Sequence, residues 1–557
     1  MDHAGHRRGT LGIGTGLLAI LTVLVQAGQA QPTWRVSVDS SGGEANAASN
    51  GHVLSGDGRL VAFQSLATNL VAGDTNGKID IFVHDRSTKA TKRVSVGSFG
   101  AEANDLSEAA SVSFDGGLVA FQSSATNLVE GDTNGKIDIF VHDRTTRTTR
   151  LINVSSSGQQ ADGRSYSPAI SGDGRFVAFS SFATNLVIGD TNGLTDVFVH
   201  DLQTGTTTRV SVDSSGGEAN GHSGSLELSI SHDGRFIAFP SEATNLVPGD
   251  TNGSRDVFVH DRETGTTTRV TVDSLGNEAN GLSFNPVLSG DGRYVAYDSE
   301  ADNLVVGDAN QVRDVFVRDR QTSTTTRVSV GTSGVEGNGV SLRPSISADG
   351  RFIAFHSVAT NLAPGNTSQL KSDIFRRDLQ TGTTTLLSIT SPGINTTQGC
   401  SNASISANGR FVAFSSSDDS LAPGDSNQER DIFVRDTLEL SHNGVPSSGQ
   451  PFHFTLSGLF GETGNTALVL LSCTGTEPGF ELPGNAGTAY LTFDACTALG
   501  LNVGALLQGV VAADGTASTP VVPFPHVIPL TKVFAAAVTL KGGQIVAISS
   551  PTFCLTQ

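Results

Sequence analysis

Seven copies of one segment fill residues 33–437 of this chain. Each copy is anchored by a Ser-x-Asp-Gly-Arg turn or a near variant. The Asp or Asn of that turn falls at Asp57, Asp115, Asp173, Asp233, Asp291, Asp349 and Asn408, which are 58, 58, 60, 58, 58 and 59 residues apart. A period this constant marks one supersecondary unit per repeat, unable to bury its apolar faces alone and stacked on its neighbours.

The third copy shows the internal grammar. Residues 167–171 read as a short strand, and Gly172-Asp173-Gly174 as a turn in which Gly supplies positive φ. Residues 175–179 and 196–201 read as the second and third strands, separated by a long loop. Thr206 to Val212 reads as a fourth strand rich in β-branched residues. Four antiparallel strands per copy predict a propeller blade. Runs such as Val257-Phe258-Val259 fit strands buried on both faces, where a half-exposed sheet would alternate. The last copy stops after Asp431–Asp436 and has no fourth strand, whereas a Thr-Trp-Arg-Val-Ser-Val segment stands alone at residues 33–38. The expected solution is that residues 33–38 complete the last blade, closing the ring and removing two sheet edges. The fold class expected is all-β: a seven-bladed β-propeller closed by its N-terminal strand, with a small β-sandwich after it.

The segments Ser171-Gly-Asp-Gly-Arg-Phe-Val-Ala-Phe179 and Asp196-Val-Phe-Val-His-Asp201 resemble TolB-like, WD40-like (PD40-type) propeller repeats. Those repeats have a Ser-Pro-Asp-Gly turn, an Ile-Ala-Phe strand and an Asp-Ile-Tyr-Val-x-Asp strand. The resemblance covers all seven copies and implies the propeller. For function it implies only a range, from envelope partners to peptidase gates and binding platforms. The long Asn-Leu-Val-x-Gly-Asp-Thr-Asn-Gly loop departs from that pattern.

That loop is where candidate chemistry repeats. Its oxygen side chains recur as Asp74/Asn76/Asp80, Asp132/Asn134/Asp138, Asp190/Asn192/Asp196 and Asp250/Asn252/Asp256. Asp308/Asn310/Asp314 and Asp425/Asn427/Asp431 are weaker copies. Closely spaced oxygens around a Gly-permitted turn are what Ca2+ uses, so the first twelve residues are calcium candidates. Asx turns that stiffen a long loop are the competing expectation. The interblade loops carry Glu44, Glu102, Glu218, Glu278 and Glu336. Propeller connectivity puts both loop families on one rim, the candidate binding face. The His and Arg at the end of each third strand (His84, His142, His200, His260, Arg318, Arg376 and Arg435) recur blade by blade and are expected to decorate strand ends.

Outside the repeat, residues 1–30 read as a signal peptide, with Arg7 and Arg8 before the apolar Leu17–Val25. Export to the periplasm, cell surface or medium follows, with no membrane span after cleavage. Residues 31–437 are the propeller. Residues 440–557, rich in short strand-like segments and Gly turns, are the expected sandwich. Cys400, Cys473, Cys496 and Cys554 permit disulfides in an exported chain. Cys473–Cys496 is the favoured pair, with Cys554 able to compete for either or to join Cys400. A formal charge of −19 argues against nucleic acid as partner.

There is no Gly-x-Ser-x-Gly elbow, no His-Glu-x-x-His and no phosphate loop. The leading expectation is therefore a non-catalytic exported protein that binds a protein or glycan through its polar rim. A propeller lyase or hydrolase with one site at the central channel is the alternative, and a purely structural surface protein a third. A cluster of unrepeated His, Arg and carboxylates at the channel would favour the enzyme. Oligomeric state is left open.

Overall fold

In a computed structural model of the chain, the described residues are 33–224, 227–366, 371–390 and 394–437, with short strand segments between 439 and 548. Residues 1–30, where a signal peptide is expected, lie outside them. The chain divides into two units, Met1–Thr437 and Leu438–Gln557.

The first unit is a ring of seven four-stranded antiparallel sheets. Blade 1 comprises Ser49–Leu54, Leu60–Ser65, Asp80–Asp85 and Thr91–Arg93, from the innermost strand outward. Each later blade repeats this order. Blade 7 comprises Cys400–Ile405, Phe411–Ser416, Asp431–Asp436 and, as outermost strand, Thr33–Arg35. Thr33 pairs with Arg435, Trp34 with Val434 and Arg35 with Phe433, and Val36 N–H donates to Ile432 O at 2.8 Å. The N-terminal segment thus closes the ring where the missing fourth strand pointed.

The Phe of the second strand stacks on the Phe of the third in every blade except blade 5, where Tyr297 takes the first place. Ring centroids lie 5.8–6.2 Å apart. These rings are buried, and such a pair contributes about 0.5–1.5 kcal/mol beyond its area. Each apolar cluster draws on adjacent blades; one joins Val36, Leu54, Phe63, Ala413 and Val434 across the closing seam.

The Asp-Gly turns form a second, smaller circle. Gly56 N–H donates to Phe114 O, Phe114 to Gly172, Asp173 to His232, His232 to Gly290, Gly290 to Ala348, Ala348 to Ala407 and Ala407 back to Gly56, all at 2.8–2.9 Å. This loop of backbone bonds visits every blade and ends where it began.

In the second unit the described residues form antiparallel pairings: Glu439–His442 with Phe454–Ser457, and Ala535–Lys541 between Thr466–Leu470 and Gln544–Ile548. Most of the expected sandwich, with Cys473, Cys496 and Cys554, lies outside the described residues. Cys400 is a free, fully buried thiol at the head of blade 7's inner strand; burial pushes it up to about 12.

Candidate functional site

The rim loops come together as their connectivity predicts. Thr75 N–H and Oγ1 both donate to Glu102 at 2.8 and 2.7 Å, linking the Asp-rich loop of blade 1 to the next interblade loop. Asn76 Oδ1 accepts Lys78 N–H at 2.7 Å, an Asx turn, while its Nδ2 donates to Asp80 (3.0 Å) and to Ala103 O (2.9 Å). The same three bonds recur in the other calcium-candidate loops. Asn192 Oδ1 accepts Leu194 N–H at 2.7 Å, and its Nδ2 donates to Asp196 (2.9 Å) and Ala219 O (3.1 Å). Asn252 Oδ1 accepts Ser254 N–H at 2.7 Å, and its Nδ2 donates to Asp256 (3.0 Å) and Ala279 O (2.8 Å). Asn134 does likewise with Lys136, Asp138 and Ala161. Each of Asn76, Asn134, Asn192 and Asn252 turns its oxygen to its own backbone and its amide to a carboxylate. These side chains are staples between two loops, as the competing Asx-turn expectation has it.

The carboxylates already surround a cation. Arg93 Nη1 lies 3.3 Å from Asp74, 3.2 Å from Asp80 and 2.5 Å from Glu102. The same rosette recurs with Arg209 among Asp190, Asp196 and Glu218, with Arg269 among Asp250, Asp256 and Glu278, and with Arg327 among Asp308, Asp314 and Glu336. In blade 7 the closing strand supplies Arg35 and the loop after it Glu44, around Asp425 and Asp431. Burial pushes Asp74 up to about 6 despite Arg93. Burial would also raise Glu102, but Thr75 and Arg93 bring it down to about 2. The guanidinium charge goes mainly to its nearest carboxylate.

Of the four blades holding the twelve calcium candidates, three have an arginine between them. Blade 2 does not: Leu151 stands in the register of Arg93 and Gln160 in that of Glu102. Gln160 Nε2 reaches Asp132 at 2.8 Å and Asp138 at 3.3 Å, and Asn134 donates to Asp138 at 3.0 Å. With amides in place of a guanidinium, burial pushes Asp138 up to about 6. Sequence reasoning missed these arginines. The signal was present, because the five interblade Glu occur only where a blade has its Arg; blade 6, with Leu386 and Asn395, lacks both.

The third-strand His side chains do close structure. His84 Nδ1 meets Thr91 Oγ1 at 2.9 Å, and His142, His200 and His260 repeat the contact. Arg318, Arg377 and Arg435 donate to the equivalent Thr325, Thr384 and Thr33, so in blade 6 the place belongs to Arg377 and not to Arg376. Asp85 accepts Arg59 at 2.6 Å and the Ser87 N–H at 2.9 Å, capping its turn.

The blades part company at the channel. Midway along the inner strand of six blades sits a register shift carrying one left-handed residue: Gly51, Ala109, Ser167, Asn285, Arg343 and Asn402, with φ between 48° and 58°. Glu227 occupies this place in blade 4, two residues before the Ser229–Ala238 pair, as Ser167 precedes Ala169–Ala178. The seven are small in blades 1–3 and polar or charged in blades 4–7. Arg343 Nη1 reaches Glu227 at 3.2 Å, two blades away, and Asn402 Oδ1 at 3.4 Å in the next blade. Both members of the Arg343–Glu227 pair are about half exposed.

Behind this wall Asp298 is fully buried. It accepts Asn285 Nδ2 (2.8 Å) and Arg343 N–H (3.0 Å), with Arg313 Nη1 at 3.4 Å. Burial pushes it up to about 6 against those donors. Arg313 also bonds Glu300 at 2.6 Å and lies over the Phe284 ring. A groove of about 460 Å³ opens beside them, lined by Glu300, Gln311, Val312, Arg313, Val340 and Leu342. At the opposite end of the inner strands the Phe114 ring meets His232 edge-on at 5.3 Å, spanning from blade 2 to blade 4 over Gly172.

Repeat, ring and closure define the class: a seven-bladed β-propeller closed by its N-terminal strand, with repeats that resemble the TolB-like, PD40-type pattern. No protein-family model and no curated protein sequence matches the chain. Among solved structures it is similar to TolB from Acinetobacter baumannii, at 16% identity over 55% of this chain and 58% of that one, with a TM-score of 0.33. It is also similar to the β-propeller domain of the Trilobed protease from Pyrococcus furiosus (13% identity, 71% and 94% covered, TM-score 0.44). A third is an oligogalacturonate lyase in complex with manganese (12%, 74% and 94%, TM-score 0.45). The chain thus spans less than two thirds of the A. baumannii TolB. At these identities the likeness is one of fold.

Proposed function

We propose that this is an exported, non-catalytic binding propeller that takes a protein or glycan ligand at the channel, against the polar wall of blades 4–7. The observation that carries the reading is the ring of seven channel residues, where repeated architecture gives way to one-off chemistry. The rim carboxylates are engaged with arginines in blades 1, 3, 4, 5 and 7 and with amides in blade 2, whereas Arg343 and Glu227 are half exposed and joined by one long bond. Such a pair has hydrogen-bonding capacity left for a ligand. Small Gly51, Ala109 and Ser167 leave room opposite.

The mature protein is expected to retain a ligand in glycan arrays or envelope pull-downs. Arg343→Gly, which copies Gly51, should weaken that binding tenfold or more, on the order of one charge-assisted hydrogen bond. Binding unchanged by this substitution, or no ligand in either screen, overturns the reading and leaves a structural surface protein.

One observation favours the enzymatic alternative: unrepeated Asp298, Arg343, Glu227 and His356 do gather at the channel. We rank it second because Asp298 is enclosed by three donors and built to stay put. Turnover of an extracellular polymer that is lost in Arg343→Gly would reverse the order.

For calcium, blade 2 is the favoured place, since Asp132 and Asp138 have no guanidinium between them. Titration of chelator-treated protein is expected to lose its calcium heat in Asp132→Ala and keep it in Asp74→Ala. Heat that survives Asp132→Ala removes the idea.

A further inference from the structure

We propose that blade 7, the blade closed by the N-terminal strand, is held by an acid-sensitive latch: buried His52 and half-buried His356, whose Nδ1 is enclosed, stand neutral on its two sides, and their protonation loosens it from both neighbours.

His52 is 9% exposed, on the inner strand of blade 1. The backbone of Ala413 and Asn402 in blade 7 lies beside it and favours the charged ring, against the larger effect of burial, but neither ring nitrogen has a partner of full hydrogen-bond geometry among the described residues. The register position is otherwise apolar: Ala110, Pro168, Leu228, Pro286, Pro344 and Ala403. A polar ring at this one place fills no packing need that Ala or Pro does not meet elsewhere.

His356 sits on the second strand of blade 6. In blades 1, 2 and 5 the residue at its position accepts the N–H of the next blade's channel residue: Gln64 from Ala109, Gln122 from Ser167 and Asp298 from Arg343, each at 3.0 Å. His356 stands in that place toward Asn402 of blade 7, and its Nδ1 has no partner among the described residues. Both seams of the closing blade therefore carry a protonatable ring.

No carboxylate is positioned to accept either proton among the described residues. The charged groups on elements packed against His52 are Glu108 of blade 2 and Asp431, Arg435 and Asp436 of blade 7. Asp431 is taken by Ser37 and Arg35, Asp436 by Arg410, and Arg435 by Thr33 and Ile389 O. Around His356 stand Arg343, Asp373, Arg376, Arg377 and Asp378. Asp373 is bonded to Ser388 and Asp378 to Arg351, and the Arg343 charge opposes protonation.

Burial lowers both rings from 6.5 to about 4. Between those values an opened blade binds more protons than a closed one, so opening grows as pH falls through this window and is indifferent to pH above it. From pH 7 to pH 5 the opening constant should rise about 20-fold per histidine.

The test is hydrogen–deuterium exchange on the full chain at pH 7 and 5, corrected for intrinsic rates. Residues 33–38, 49–54, 400–405 and 411–416 should open more at pH 5, and the inner strands of blades 3–5 should not follow. His52→Ala and His356→Gln, which copy residues of other blades, should each remove about 20-fold of the effect. Acid opening spread evenly over all seven blades, or unchanged in the double variant, overturns the proposal. Should a variant fail to fold, exchange at the ring C2 protons of the wild type decides: both rings must titrate well below 6.5, and ordinary titration overturns it.

Discussion

At the scale of single residues, the rim is governed by a trade between Arg and Glu. Arg209 is enclosed by Asp190, Asp196 and Glu218, so its removal strands three acidic groups around an empty centre. Breaking a buried pair from one side costs about 3–5 kcal/mol. Arg209→Leu alone is expected to lose that much in urea unfolding. Blade 2 has made the change as a pair, Leu151 with Gln160, whose amide donates to the Asp carboxylates in place of the guanidinium. Arg209→Leu with Glu218→Gln should therefore recover most of the loss. A double variant as unstable as the sum of its singles would mean the two positions are independent.

At the scale of the element, the inner strand is where structure and binding diverge. Its bulge forces one residue into the left-handed region, which costs a side-chain-bearing residue roughly 1–2 kcal/mol. Arg343 adopts it at φ 48°, where blade 1 uses Gly51. Arg343→Gly relieves that strain and gives up only a long, half-exposed ion pair worth little. It is expected to hold or raise stability, by about 1 kcal/mol at most, while losing the ligand. A clear fall in the unfolding midpoint would show that Arg343 is there for the fold. The outer hairpin is the contrary case: Asp85, Thr91 and His84 satisfy one another, and their repetition serves the blade.

At the scale of the whole molecule, closure decides stability. Thr33–Arg35 covers the edge of Asp431–Asp436, while Arg35 and Glu44 complete the rosette of Asp425 and Asp431 from the far end of the repeat array. Deleting residues 33–38 bares a strand edge and leaves Asp425 and Asp431 without their cation. The expected loss is at least the about 3–5 kcal/mol of a broken buried pair, with self-association through the open edge, read by thermal unfolding and light scattering. A monomer of unchanged midpoint would mean that the ring holds without its clasp. The circle of turn-to-turn backbone bonds from Gly56 back to Gly56 is the structure able to do that.

The sequence alone determined the number of blades, the strand order and the clasp, because period, turn residues and β-branched runs are local properties repeated seven times. It also placed both loop families on one rim, since a blade's connectivity leaves no other arrangement. Asp74, Asn76 and Asp80 were legible as an oxygen-rich loop, and so were Asn192 and Asn252 in theirs. What only the tertiary structure decided is which way those side chains turn and what faces them. The Asn amides are drawn off by carbonyls of the next interblade loop, such as Ala219 O and Ala279 O, which lie far along the chain. Arg93 is distant in the spacing of its loop, yet antiparallel pairing lays it against Phe82, beside Asp80. The channel was hidden for the same reason. Glu227, Asn285, Arg343 and Asn402 look like scattered exceptions along the chain, and they become neighbours only because seven inner strands converge on one axis.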